Sequence, residues 1–162
     1  MSTLTEPEPR LLADLDWVLA QSAATASGAL WRLEETDRQL DANLIRLRPG
    51  QTVELHQEPD VDVMLLPLAG GGTLRTGSDA IALAPHALIW LPRGSRRSLE
   101  AGSEGLAYLT VHRKRAGMTI KLPSDPEKLR RLEAREEAEE GGEAACLLPH
   151  VCPECGRVLP HD

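Results

Sequence analysis

Leu83-Ala84-Pro85-His86-Ala87-Leu88-Ile89-Trp90-Leu91-Pro92-Arg93-Gly94-Ser95-Arg96-Arg97 sets a short apolar run between two turn signals. In Ala84-Pro85-His86 and Pro92-Arg93-Gly94, proline presets φ for a turn and glycine supplies the freedom to leave it. Ala87–Leu91 between them is too short for a stable helix and reads as a strand. The same rhythm continues outward in both directions. Further candidate strands are Ala29–Leu33, Gln39–Leu47, Thr52–Leu55, Val61–Leu68, Gly72–Thr76, Asp79–Leu83, Arg97–Ala101 and Ala107–Arg113. Many short strands at this spacing, with no sustained helical period, predict an all-β sandwich or barrel over residues 28–123.

Composition bounds what such a barrel can do. The chain has 162 residues, 41% hydrophobic, but only one Tyr, three Trp and no Phe, so its core has to be aliphatic. Eighteen Lys and Arg against 25 Asp and Glu leave a formal net charge of -7. That balance lacks the basic stripe and the stacking aromatics of nucleic-acid binders, and it disfavours adhesion to anionic membranes. No apolar run approaches the roughly 20 residues of a membrane helix. The opening residues, MSTLTEPEPR, carry no basic leader followed by an apolar stretch, which places the protein in the cytoplasm as an expectation.

The flanks of the barrel differ from it. In residues 1–27, Leu11, Leu15, Val18 and Leu19 recur at helical spacing and predict one amphipathic helix from about Pro9 to Ala24. Residues 124–145 carry 4 basic and 8 acidic side chains, with Ser124 and Asp125 as caps and Gly141-Gly142 as a stop; this reads as a charged spacer helix. Residues 146–162 hold all 3 cysteines.

Gly50, five intervening residues and His56, running on to Gly70, followed by Pro92 and Gly94 in the second stretch, resemble the two motifs of the cupin superfamily. The resemblance covers roughly residues 38–113 and implies a double-stranded β-helix, or jelly-roll, barrel. Cupins that bind metal present three His and one Glu into the barrel. Carried over position by position, the first His falls on His56, the second on Glu58, the Glu on Val63 with Asp62 one residue out of phase, and the last His on Arg97. His86 stands where the second motif begins with Gly, and Ala101 at its closing Asn. A guanidinium at a ligand position repels a cation, so the resemblance implies a barrel without its usual metal. What remains is a ligand pocket of His56, Glu58 and Arg97, in which Arg97 either pairs with Glu58 or grips an anionic ligand.

On the last predicted strand, alternation puts Tyr108, Thr110 and His112 on one face and Leu109 and Val111 on the other; the apolar set is the expected core face. The opposite assignment would allow a remodelled metal site from His56, Glu58 and His112. Trp90 is expected in the core or the pocket wall, Trp17 and Trp31 are isolated apolar anchors, and His86 is expected in an exposed loop.

Cys146, Cys152 and Cys155 form a tail in which Cys152-Pro-Glu-Cys155-Gly156 has the two-residue spacing of structural zinc turns. A third thiolate from Cys146 and a fourth ligand from His161, or alternatively His150, would close a tetrahedral site. Some bacterial cupin dioxygenases acting on aminophenol-type aromatic acids carry a cysteine-built iron site at the C-terminus, and the layout is distantly similar to theirs. Together these features predict a cupin-like protein that binds a small, anionic molecule, with zinc in its tail and pairing into a homodimer. Two alternatives are a metal-dependent cupin enzyme of dioxygenase or isomerase type, and a sensory or partner-binding subunit resembling the barrels of arabinose-type regulators.

Overall fold

The computed structural model describes residues 7–115. They form one short helix, α1 (Leu15–Gln21), and seven strands: β1 (Gly28–Arg32), β2 (Leu40–Leu47), β3 (Thr52–Gln57), β4 (Val63–Thr76), β5 (Asp79–Leu83), β6 (Ile89–Leu91) and β7 (Arg96–Arg113). Every pairing is antiparallel, in the order β1-β2-β7-β4-β5, with β3 joined to β7 and β6 to β4.

The two long strands make the barrel. Val63–Pro67 of β4 pairs with His112–Tyr108 of β7, and after two register shifts Gly72–Thr76 pairs with Ala101–Arg97. Each long strand therefore serves two sheets: β1-β2-β7-β4-β6 on one side and β3-β7-β4-β5 on the other. The sequence pattern separates Val61–Leu68 from Gly72–Thr76 and Arg97–Ala101 from Ala107–Arg113, whereas the backbone ladder runs through both breaks. Glycine is the reason. Gly70 has φ +71°, and a Cβ there would lie 2.1 Å from the carbonyl oxygen of Gly105, itself at φ +75°. The two backbones meet at a corner that only bare Cα atoms can occupy, so the strands bend without breaking.

The inner faces of the two sheets bury Ile45, Val63, Leu65, Ile89, Leu91 and Leu106 from one side and Val53, Leu74, Leu83, Leu99 and Ala101 from the other. The core is aliphatic apart from Tyr108, as a chain without Phe requires.

The N-terminal helix is shorter than the apolar spacing suggests. Asp14 accepts a hydrogen bond from the Trp17 amide at 3.1 Å and takes extended backbone as N-cap, which starts the helix at Leu15 and not at Pro9. Ser22, also extended, ends it, its hydroxyl donating to the Val18 carbonyl at 2.8 Å. No residue of α1 is fully buried. Arg46, outward-facing on β2, donates to the carbonyls of Leu19 at 2.8 Å and Ala23 at 3.0 Å, and so ties the C-terminal end of α1 to the outside of the barrel. The guanidinium meets the carbonyls a helix end leaves unpaired.

Candidate functional site

β7 bends at its glycine corner, and its two ends come together on Glu58, which accepts hydrogen bonds from Gly94 just before the strand and from Arg115 just after it. Alternation along β7 turns Arg97, Leu99 and Ala101 inward before the corner and Leu106, Tyr108, Thr110 and His112 inward after it. The inner surface is thus apolar near the corner and polar at the mouth. Glu58 and Arg97 are each 1% exposed, Thr110 0% and His112 4%. In register on β2, Asn43 lies opposite Thr110 and Asp41 opposite His112.

This reverses the expectation that Leu109 and Val111 face the core. Both are only half-buried and face outward with Leu44, while Tyr108, Thr110 and His112 point in. Both faces of this strand end up substantially covered, so polarity alternation loses its usual meaning there.

Of the sequence-derived pocket, Glu58 and Arg97 are inside and His56 is half-buried, opposite Arg97 in the β3–β7 register. The His56 ring Nδ1 sits 2.9 Å from the Glu54 carbonyl oxygen. Glu58 is the first residue after β3. Its carbonyl accepts from the Gly94 amide at 2.6 Å, its Oε1 from the Asp60 amide at 2.8 Å, and its Oε2 from the Arg115 guanidinium. Arg115, just beyond β7, escapes sequence reading because it falls outside both motifs. Arg97 also donates weakly to Ser95, at 3.4 Å to the carbonyl and 3.5 Å to the hydroxyl. The mouth therefore holds the buried carboxylate of Glu58, paired with Arg115, and the buried guanidinium of Arg97.

His112 carries its own tautomer label. Its Nδ1 is 2.8 Å from the Arg113 carbonyl oxygen, which can only accept, so Nδ1 bears the proton in the neutral ring. Nε2 is buried and has no hydrogen-bond partner among the described residues.

The positions that hold metal ligands in cupins are filled differently here. Val63 at the Glu position is an apolar core residue, Arg97 at the last His position is a cation, and Asp62 is engaged elsewhere, accepting from the Arg93 amide at 2.8 Å to hold the Pro92–Gly94 turn. Among the described residues no three His, Cys, Asp or Glu side chains are grouped to hold an ion, so the remodelled set of His56, Glu58 and His112 is not assembled. Cys146, Cys152, Cys155, His150 and His161 lie outside the described residues.

Elsewhere, a cavity of about 320 Å³ opens between the end of α1 and the glycine corner, lined by Leu19, Ser22, Arg46, Glu104 and Gly105 among others. It is remote from the mouth, and of the two arginines in its wall, Arg46 is already engaged by the carbonyls of Leu19 and Ala23. His86 is exposed in its turn, at φ +70°, as expected. Trp90 is not in the core: it is 60% exposed on the outer face of β6, beside Leu88 at 65% and opposite Met64. Its strand neighbours Ile89 and Leu91 take the inward positions, which leaves the indole outside.

No family model matches the sequence, and no curated protein does. Solved structures do. The chain is similar to BH2720 from Bacillus halodurans, at 19% identity with a TM-score of 0.54 over 68% of this chain and 85% of that one. It is similar to TT1209 from Thermus thermophilus, at 22% identity with a TM-score of 0.51 over 65% and 98%. It also matches the cupin domain of Cnp3 from Schizosaccharomyces pombe, at 14% identity and a TM-score of 0.48 over 52% of this chain and 59% of that one. At such identities the likeness concerns the fold alone. Two antiparallel sheets sharing two corner-bent strands, with motif glycines Gly50 and Gly94 at φ +71° and +81°, make it an all-β barrel of the cupin type.

Proposed function

We propose that the barrel binds a small anionic molecule at its mouth, with Arg97 as the principal anchor. The observation that carries this reading is the burial of charged groups: Arg97 and Glu58 are each 1% exposed, and the Arg115 guanidinium pairs with Glu58. A carboxylate or phosphate entering there meets planar donors suited to paired hydrogen bonds. Calorimetric titration of the full chain with propionate and with inorganic phosphate tests it. Arg97→Gln is expected to weaken the better of the two by about tenfold to hundredfold, the worth of a hydrogen bond to a charged group. Unchanged affinity in the variant, or no binding of either anion, sinks the reading.

The cysteine tail is proposed to hold one zinc through Cys146, Cys152, Cys155 and His161, with His150 as the alternative fourth ligand, on the strength of the thiolate spacing. Elemental analysis of untagged protein should then find about one zinc per chain that disappears when Cys152 and Cys155 are both changed to Ser. Zinc retained by that variant would refute it. Pairing into a homodimer is likewise proposed, since β1, β3, β5 and β6 are each paired on one side only in the described residues. A monomeric mass by light scattering would reject it.

A further inference from the structure

We infer that the cavity of about 320 Å³ between the end of α1 and the glycine corner is a further ligand site, and that it takes a free amino acid with an aliphatic side chain, its carboxylate on Arg48 and its ammonium on Glu104.

The cavity follows from the corner. A Cβ on Gly105 would stand 2.8 Å from the Leu47 carbonyl oxygen, so the corner is bare backbone, flanked by the short side chains of Ala69 and Ala107. That leaves its outside hollow. The end of α1 spans the hollow without filling it, because Arg46 holds the helix by its last carbonyls and no residue of α1 is fully buried. Leu19 of α1 forms one wall, and the buried Leu47 and Leu106 form the floor. Such a volume lies at the small end of the range of about 300–1,000 Å³ in which proteins hold small ligands. An aliphatic group that replaces water against these leucines gains free energy.

Charge selects the class. Arg48 and Glu104 both line the cavity, and among the described residues neither side chain makes a hydrogen bond or an ion pair. They are rooted close together, Arg48 just after Leu47 and Glu104 two residues before its register partner Leu106, yet they do not pair with each other. One cation and one anion beside an apolar hollow complement a molecule that carries both charges at one end and an apolar group at the other. The guanidinium offers a carboxylate two parallel donors, and the Glu104 carboxylate accepts from an ammonium. A ligand with a single charge satisfies one of the two and is repelled by the other.

The test titrates the full chain with L-leucine, with 4-methylpentanoate, which lacks the ammonium, and with 3-methylbutylamine, which lacks the carboxylate. Leucine is expected to bind at least about tenfold tighter than either, since each analogue loses a hydrogen bond between charged groups. Arg48→Gln should weaken leucine about tenfold or more and leave the amine no weaker. Glu104→Gln should weaken leucine as much and leave 4-methylpentanoate no weaker. Both side chains are exposed, so neither substitution disturbs the fold. NMR of the unaltered protein gives a readout that needs no variant: the backbone amide signals of Ser22, Gly70 and Gly105 should move with leucine, while that of Thr110, at the mouth, stays. Leucine no tighter than a single-charge analogue, leucine affinity unchanged by either substitution, shifts confined to the mouth, or no binding of leucine at millimolar concentration each overturn the inference. An Arg48–Glu104 pair that closes on itself in solution would produce the second of these.

Discussion

The corner and the mouth of this barrel are built from the same two strands and obey opposite rules. At the corner, β4 and β7 pass so closely that a Cβ on Gly70 would stand 2.1 Å from a carbonyl oxygen, and the residues beside it, Ala101 and Leu106, are apolar and buried. At the mouth, β7 turns Arg97, Thr110 and His112 inward, and the residue that follows β3 adds Glu58. Close packing of aliphatic groups stabilises the fold, whereas buried charges cost desolvation and contribute little net stability even when paired. The contrast puts close aliphatic packing at one end, and buried charge, the basis of the proposed recognition, at the other.

The contrast is broken most severely at the corner. Gly70→Val combines a positive φ with a direct backbone clash, and is expected to cost more than about 4 kcal/mol, read as the loss of a cooperative denaturation transition. A variant that still folds with near-normal stability would show that the corner is not rigid. Leu65→Ala comes next. Leu65 is fully buried between the corner and the mouth, and its truncation should cost about 2–5 kcal/mol in urea titration.

At the mouth the expected effect is smaller and of a different kind. Glu58→Gln keeps an oxygen to accept from the Asp60 amide but removes the charge facing Arg115, so stability should fall by about 1–3 kcal/mol. Propionate affinity should rise at the same time, because the carboxylate that competes for the guanidiniums is gone. Lower affinity in that variant would mean that Glu58 positions the cations and does not compete for them, and would blur the division between the two ends.

How far these regions were legible in the sequence follows from the same chemistry. Turn residues and glycines are local signals, so the strands, the barrel and the motif positions Gly50, Gly70 and Gly94 could be read directly, and all three glycines have positive φ. The inward charges Glu58 and Arg97 were legible through motif register. The orientation of Tyr108, Thr110 and His112 was not, because alternation of polarity identifies the inner face only when the outer face is wet. Here Leu44 and Ala107 on the outer face of β2 and β7 are themselves buried. Arg115 gave no signal at all, since its partner Glu58 is far away in sequence and the pair forms only once β3 and β7 are adjacent. The bend in each long strand was read as two strands because glycine marks turns and corners alike.

Trp90 supplies the gentlest probe of the comparison, because it lies on neither the corner nor the mouth. It stands outward on β6, more than half exposed, between the buried Ile89 and Leu91, with Met64 opposite on β4 and Val111 next across the sheet. An indole so placed contributes little to the fold of one chain, and Trp90→Ser should change its unfolding free energy by less than about 0.5 kcal/mol. The same substitution removes the largest apolar group on that outer face, where Leu88 is also exposed. If two copies pair through this face, the variant's mass by light scattering will fall towards that of a monomer at concentrations where the unaltered chain is dimeric. An unchanged mass, with unchanged stability, would move the pairing surface to an open strand edge and leave the outer face of this sheet without a share in either end's work.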